Sequence, residues 1–311
     1  MTIVVGVAPE ERGKAALHLA GELARSMDEE LLLCAVIPVS WPPSPARIDA
    51  EYRAYLASTA TEALEEARAR LPQDVSATTL VHHARSAPAG LLDAAERADA
   101  SLIVVGSSSA GPLGQVTLGS VSSSLLHHSP VPVALATRGY RCSAGTRVTR
   151  ATAAFGGTSE AEELVVAAAG VAARFGVSLR IASFAVLARP PYTSGVGREA
   201  AGSLRSQWTE AMRAAVDEAL EQVKELPLVP HDLEAVTGYG ETWEEALEDI
   251  EWDDGDVLVV GSSVLGPVAR VFLGSRATKI VRHSPVPAIV VPRGAAVELA
   301  EQAERGEGRQ R

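Results

Sequence analysis

Two stretches of this chain have residue types and spacing that suit a phosphate ligand. The first runs from Gly106 through Ser109 to Gly119-Ser120, and the second from Gly261 through Val264 to Gly274-Ser275. Each lies between a continuous apolar run (Leu102–Val105; Val257–Val260) and a segment of helical pattern that ends at a Ser-Pro pair. A glycine- and serine-rich turn that leaves a buried strand and enters a helix points backbone N–H groups, and the positive end of the helix dipole, at one place. That arrangement can hold an anion without any lysine or arginine. The same residues also serve a purely structural purpose, glycines for a tight turn and Ser120 as a helix cap. Neither G-x-x-x-x-G-K-[ST] nor G-x-G-x-x-G after the first strand occurs, which disfavours Walker-type ATPase chemistry and the usual dinucleotide fingerprint.

The elements around these loops repeat. Gly106 corresponds to Gly261, Gly111-Pro112 to Gly266-Pro267, and Gly119-Ser120 to Gly274-Ser275, at one constant offset without a gap. His128-Ser129-Pro130-Val131-Pro132 corresponds in the same way to His283-Ser284-Pro285-Val286-Pro287. A repeat of this length means two copies of one domain. Within the first copy, strand patterns at Thr2–Val7, Leu31–Ile37, Val75–His82, Leu102–Val105 and Val131–Ala136 alternate with helical patterns at Glu10–Ser26, Asp49–Leu71, Ala87–Ala98 and Gly119–His128. The second copy follows the same plan. Strands alternating with helices predict two doubly wound, five-stranded parallel sheets in tandem. The expected boundaries are residues 1–137 and 148–293 for the domains, 138–147 for a polar linker and 294–311 for a charged tail.

Composition narrows the function. The chain has 311 residues, a net charge of −11 and only 4% aromatic residues. An acidic chain argues against nucleic acid or an anionic membrane surface as the main partner. Cys34 sits in an apolar run and Cys142 in the expected linker, with no CxxC or zinc spacing, so neither a disulfide framework nor a metal site is expected. The opening MTIVVGVA reads as a strand rather than a signal peptide, and no apolar run is long enough to span a membrane. A cytoplasmic location follows as the expectation. His127, His128 and His283 end the loop helices, where the dipole suits them. The serines around both loops lack a G-x-S-x-G elbow and an assignable base, which argues against a hydrolase.

The stretches VVGSS…GPLGQVTLGSVSSSLLHHSPVPVALA and VVGSS…GPVARVFLGSRATKIVRHSPVPAIVVP resemble the universal stress protein family in its tandem form. The resemblance implies an adenine-nucleotide alpha-hydrolase-like fold. ATP-binding members carry G-x2-G-x9-G-[ST] here, a frame met by Gly106, Ser109, Gly119 and Ser120, and by Gly261, Val264, Gly274 and Ser275. Two departures stand out. Ser109 and Val264 replace the second glycine, and Ala8 and Gly156 stand where ATP-binding relatives place an aspartate after the first strand. Basic residues favour the second half, which has Arg270, Arg276, Lys279 and Arg282, whereas the first has Gln115 and no basic residue until after its last strand. The resemblance therefore implies a stress-response protein with ATP as a regulatory ligand and slow hydrolysis at most. The alternative is an interaction scaffold of the same fold that binds no nucleotide and works through a protein partner. An ATP-pyrophosphatase is a third class, and its Ser-Gly-Gly-x-Asp-Ser loop is absent. In the resembled family the final strand pairs across a dimer, which implies that Val131–Ala136 and Val286–Val291 pair here as an intrachain pseudo-dimer.

Overall fold

The computed structural model describes residues 1–8, 13–39, 47–108, 110–156, 159–186, 195–226, 230–264 and 271–292. In chain order the elements are β1 (Thr2–Gly6), α1 (Lys14–Met27), β2 (Glu30–Pro38), α2 (Arg47–Arg70), β3 (Ala77–Ala84), α3 (Ala87–Arg97), β4 (Ala100–Gly106), α4 (Ser120–His128) and β5 (Val133–Ala136). The plan then recurs as β6 (Arg150–Phe155), α5 (Ser159–Phe175), β7 (Ser178–Val186), α6 (Gly195–Lys224), β8 (Leu233–Gly240), α7 (Trp243–Glu248) and β9 (Asp256–Gly261). Two short strands, β10 (Ser263–Val264) and β11 (Val271–Phe272), precede α8 (Ser275–His283) and β12 (Ala288–Val291). The result is the expected α/β class with a mostly parallel sheet.

The chain divides into two compact units. As far as they are described, unit 1 holds Met1–Arg147, Val264–Phe272 and Val286–Val290, and unit 2 holds Val148–Ser263, Leu273–Pro285 and Val291–Arg311. In unit 1 the strands lie in the order β3-β2-β1-β4-β5-β12. The first five are parallel, and β12 joins β5 antiparallel with Ala288 opposite Leu135, Ile289 opposite Ala134 and Val290 opposite Val133. In unit 2 the order is β9-β6-β7-β8, all parallel.

The central strands are near-continuous apolar runs because helices cover both faces. Ile3, Val4, Val5, Ile103 and Val104 have no exposed surface, and neither do Leu258 and Val259 in unit 2. Each such side chain contributes about 1.5–3 kcal/mol relative to leaving it in water. Helix ends follow sequence-local rules. Ser86 caps α3 by accepting from the Ala89 N–H at 3.3 Å, with Pro88 tolerated in the first turn. Asp28, at φ 53°, ends α1 in the left-handed region, and Glu29 N–H returns to the Ala24 carbonyl at 3.0 Å.

Residues 138–147, expected as a linker, are strapped to α1. Tyr140 donates its hydroxyl to the buried Glu22 at 2.5 Å, Cys142 donates to the His18 carbonyl at 3.3 Å, and Arg25 donates to the Thr146 carbonyl at 3.2 Å. Arg147 closes the strap on the Arg25 carbonyl.

Gly21 is buried in the interior of α1, where a glycine weakens a helix. A Cβ at Gly21 would meet Arg25 Nη1 and Leu71 Cδ2 at 4.0 Å, ordinary contact distances. Gly21→Ala is therefore expected to stabilise the protein by about 0.5–1 kcal/mol. The check is a higher urea midpoint at unchanged m; a lower midpoint would contradict it.

Candidate functional site

Both glycine loops leave the carboxyl ends of sheet strands, β4 at Gly106 and β9 at Gly261, where doubly wound sheets take ligands.

The first loop closes on itself. Ser107 accepts the Thr117 N–H on its hydroxyl at 2.5 Å, and the Ser108 N–H goes to the Thr117 carbonyl at 2.8 Å. Gly111 permits this closure, since a Cβ there would sit 1.6 Å from Thr117 Oγ1. Gly114, at φ +79°, makes the turn and donates its N–H to the Arg138 carbonyl at 2.9 Å, and Arg138 N–H returns to the Gln115 carbonyl at 2.9 Å. The Arg138 guanidinium also donates to the Gly111 carbonyl. At the helix start the cap is Gly119 rather than the expected Ser120, which is exposed in the first turn. Ser122 reaches back, its hydroxyl accepting the Gly119 N–H at 2.8 Å. The N–H groups of Ser108, Gly114, Thr117 and Gly119 are thus all used within the loop and its neighbours.

Sequence reasoning passed over Arg138 because it follows the last strand of the first half. The signal was present in the topology. β5 runs parallel to β4 with Ala136 level with Gly106, so the residues just after β5 must arrive beside the loop.

The second loop is described only at its two ends, where β10 and β11 pair with each other. A Cβ at Gly261 would meet Leu164 Cδ1 at 3.3 Å, so this glycine lets α5 pack closely. Ser262 donates both its N–H (3.0 Å) and its hydroxyl (3.2 Å) to the Val291 carbonyl. Gly274 starts α8 without a side-chain cap, and Ser275 and Arg276 lie exposed in its first turn. Lys279 is exposed one turn further on. Ser109 and Arg270 lie outside the described residues, so Gly106, Gly119 and Ser120, and Gly261, Gly274 and Ser275, are the predicted residues the structure places.

At the strand-one ends Ala8 and Gly156 are both exposed, and nothing lies within 4 Å of the position a Gly156 Cβ would take. Neither offers a carboxylate. Of the helix-ending histidines, His128 Nδ1 bonds its own helix at the Ser124 carbonyl, 2.8 Å away, while His283 Nδ1 is buried without a hydrogen-bond partner among the described residues. His82 is satisfied by Asp93 at 2.6 Å. Among the described residues no group of three or more histidine, cysteine, aspartate or glutamate side chains is placed to hold a metal ion, and no helix is long and apolar enough to cross a membrane.

The model of the universal stress protein family matches residues 1–137 and again 148–292. The chain belongs to that family. Among curated universal stress proteins, one from Mycobacterium tuberculosis strain H37Rv is 40% identical over 298 residues, covering 94% of this chain and all of the relative. A universal stress protein structure from Archaeoglobus fulgidus DSM 4304 superposes with a TM-score of 0.62 at 20% identity, covering 94% of this chain and 98% of that one. Another universal stress protein from A. fulgidus, solved in complex with dAMP, covers 44% of this chain and 98% of its own, with a TM-score of 0.34 at 21% identity. The tandem universal stress protein match brackets residues 138–147, the segment that straps onto α1.

Proposed function

We propose that this chain is a stress-response protein that takes an adenine nucleotide, ATP foremost, as a regulatory ligand in its second half. The observation that carries the reading is the first turn of α8. Gly274 begins the helix with no side-chain cap, and Arg276 is exposed beside it. A cation there opposes the helix dipole by some tenths of a kcal/mol, roughly 0.3–1. A phosphate between the first-turn N–H groups and the guanidinium turns that repulsion into attraction. The proposed site is Gly261, Gly274 and Ser275, with Arg270 and Arg276 on the phosphates. Gly106, Ser109, Gly119 and Ser120 are the counterpart residues of the first half, where the N–H groups of Thr117, Ser108, Gly119 and Gly114 already bond the Ser107 hydroxyl, the Thr117 carbonyl, the Ser122 hydroxyl and the Arg138 carbonyl. The family resemblance implies ATP turnover that is slow at most, and Ala8 and Gly156 leave both strand-one ends without the carboxylate that bonds the nucleotide in ATP-binding relatives. A cytoplasmic setting, where ATP is plentiful, fits this role. The β5–β12 ladder is read as the internal version of the pairing that joins single-domain relatives.

A second reading, a nucleotide-free scaffold for a protein partner, is favoured by the same Ala8 and Gly156. Calorimetric titration of the full chain with MgATP separates the two. One site per chain is expected, weakened about tenfold by Arg276→Gln through loss of a charge-assisted bond. No binding at millimolar ATP, together with no adenine absorbance released on denaturing the purified protein, would leave the scaffold reading standing.

A further inference from the structure

Within unit 1, α1, the end of α2 and residues 142–144 enclose a cavity of about 370 Å3 that the nucleotide reading does not use. Its ionic lining is cationic: Lys14, Arg25 and Arg70. Leu17, Leu71 and Pro72 supply apolar wall. In a chain of net charge −11 this is an uneven distribution.

The nearby carboxylates do not use up the arginines. Arg70 gives Nη2 to Glu66, and Arg25 gives Nε to Asp74 at 2.6 Å and Nη1 to the Thr146 carbonyl. A guanidinium has five donors, so among the described residues each has more donors than these bonds use. Glu22, another acid close by, is buried and takes the Tyr140 hydroxyl at 2.5 Å. The charges around the wall are mixed: Glu22 helps burial push the Cys142 thiol up, against the pull of Arg25. Burial first, and then the charge of Arg141, hold the proton affinity of His18, in the cavity wall, below its usual value.

Gly21 is the other pointer. It lines the cavity, yet packing does not demand a glycine there, because a Cβ would make only ordinary contacts. Its missing side chain leaves the space open at the cost of helix propensity. The strap then fixes the far wall, with Cys142 held to the His18 carbonyl.

We propose that this cavity binds a small amphipathic organic anion, its charged head against Arg70 and Lys14 and a short apolar body against Leu17, Leu71 and Pro72. The volume sits at the lower end of the roughly 300–1,000 Å3 typical of small-molecule sites, which limits the body to a short chain or single ring.

Cys142 reports occupancy. It is half-buried in the wall, its thiol pushed up by burial and by Glu22, whereas Cys34 is fully buried in the core with its thiol pushed up to about 12 by desolvation and by Asp93. N-ethylmaleimide therefore reads Cys142 in the folded full-length protein. Octanoate, at about ten times its dissociation constant, is expected to slow that alkylation roughly tenfold by mass action. Arg70→Gln and Lys14→Gln are expected to lose this protection, and octanol to give none. Gly21→Leu fills the space while keeping every charge, and is also expected to abolish protection with an unchanged or higher urea midpoint. Equal protection by octanol, full protection retained in Arg70→Gln, or no protection by octanoate in the folded parent would each overturn the proposal.

Discussion

Asp256→Ala is expected to destabilise the protein by about 3–5 kcal/mol, the usual cost of removing one partner from a buried ion cluster. Asp256 opens β9 and is 1% exposed. It accepts from Arg150 Nε at 3.0 Å and Arg150 Nη2 at 2.6 Å, from Arg180 Nη2 at 3.4 Å, and from the Asp253 N–H at 3.0 Å. Arg180 is 2% exposed. Its other bonds go to Thr152 at 3.1 Å and the Glu251 carbonyl at 2.7 Å, and Trp252 stacks beneath its guanidinium at 4.7 Å. Burial, then the neighbouring Arg150 charge, disfavour the charged form of Arg180, and Asp256 is the first group acting the other way. Removing the carboxylate leaves two guanidinium groups facing each other without their common counter-charge. Most of the loss is that stranded charge rather than the net worth of the pairs. Urea unfolding followed by circular dichroism measures it, and a loss below about 1 kcal/mol would mean that water or Glu234 takes over.

Leu135→Pro is expected to cost about 3 kcal/mol or more, because proline in a central strand removes a ladder donor and clashes with its neighbours. Leu135 is fully buried, level with Val105 on β4 and opposite Ala288 on β12. Only four residues form β5, so one lost bond is a large share of the ladder. Hydrogen exchange reads the effect locally. Amides of Ala288–Val290 should lose protection before those of β1 and β2. Protection that fell equally across unit 1, or did not fall at all, would contradict a ladder resting on this short strand.

The elements themselves were legible in the sequence. Runs such as Leu102–Val105 and the Ser-Pro stops after His128 and His283 act locally, so periodicity and punctuation found them. The strand-to-helix placement of Gly106, Gly119, Gly261 and Gly274 followed. Features set by chain reversal were not legible. Ser120 looked like a cap from its own neighbourhood, yet the Ser122 hydroxyl accepts the Gly119 N–H and Gly119 becomes the cap. Arg138 and the Tyr140–Arg147 strap looked like polar connector, and only the parallel β4–β5 register brings Arg138 back to Gly111. Arg180 is one charged residue in the otherwise apolar centre of β7. Its partners Thr152, Glu251 and Asp256 come from elsewhere in the chain, and no local pattern announces them.

The strap also bears on how the chain can be cut. The match to the first repeat stops at residue 137, an inviting place to end a fragment. A truncation there discards the Tyr140 hydroxyl on Glu22, the Cys142 bond to His18 and the Arg147 bond to Arg25, and strips polar cover from one side of α1. It discards β12 as well, baring the β5 edge to any passing strand. Sequence homology and physical self-sufficiency thus draw the border of the first half in different places, and a piece trimmed to the homologous border would be sticky for reasons unrelated to its ligand.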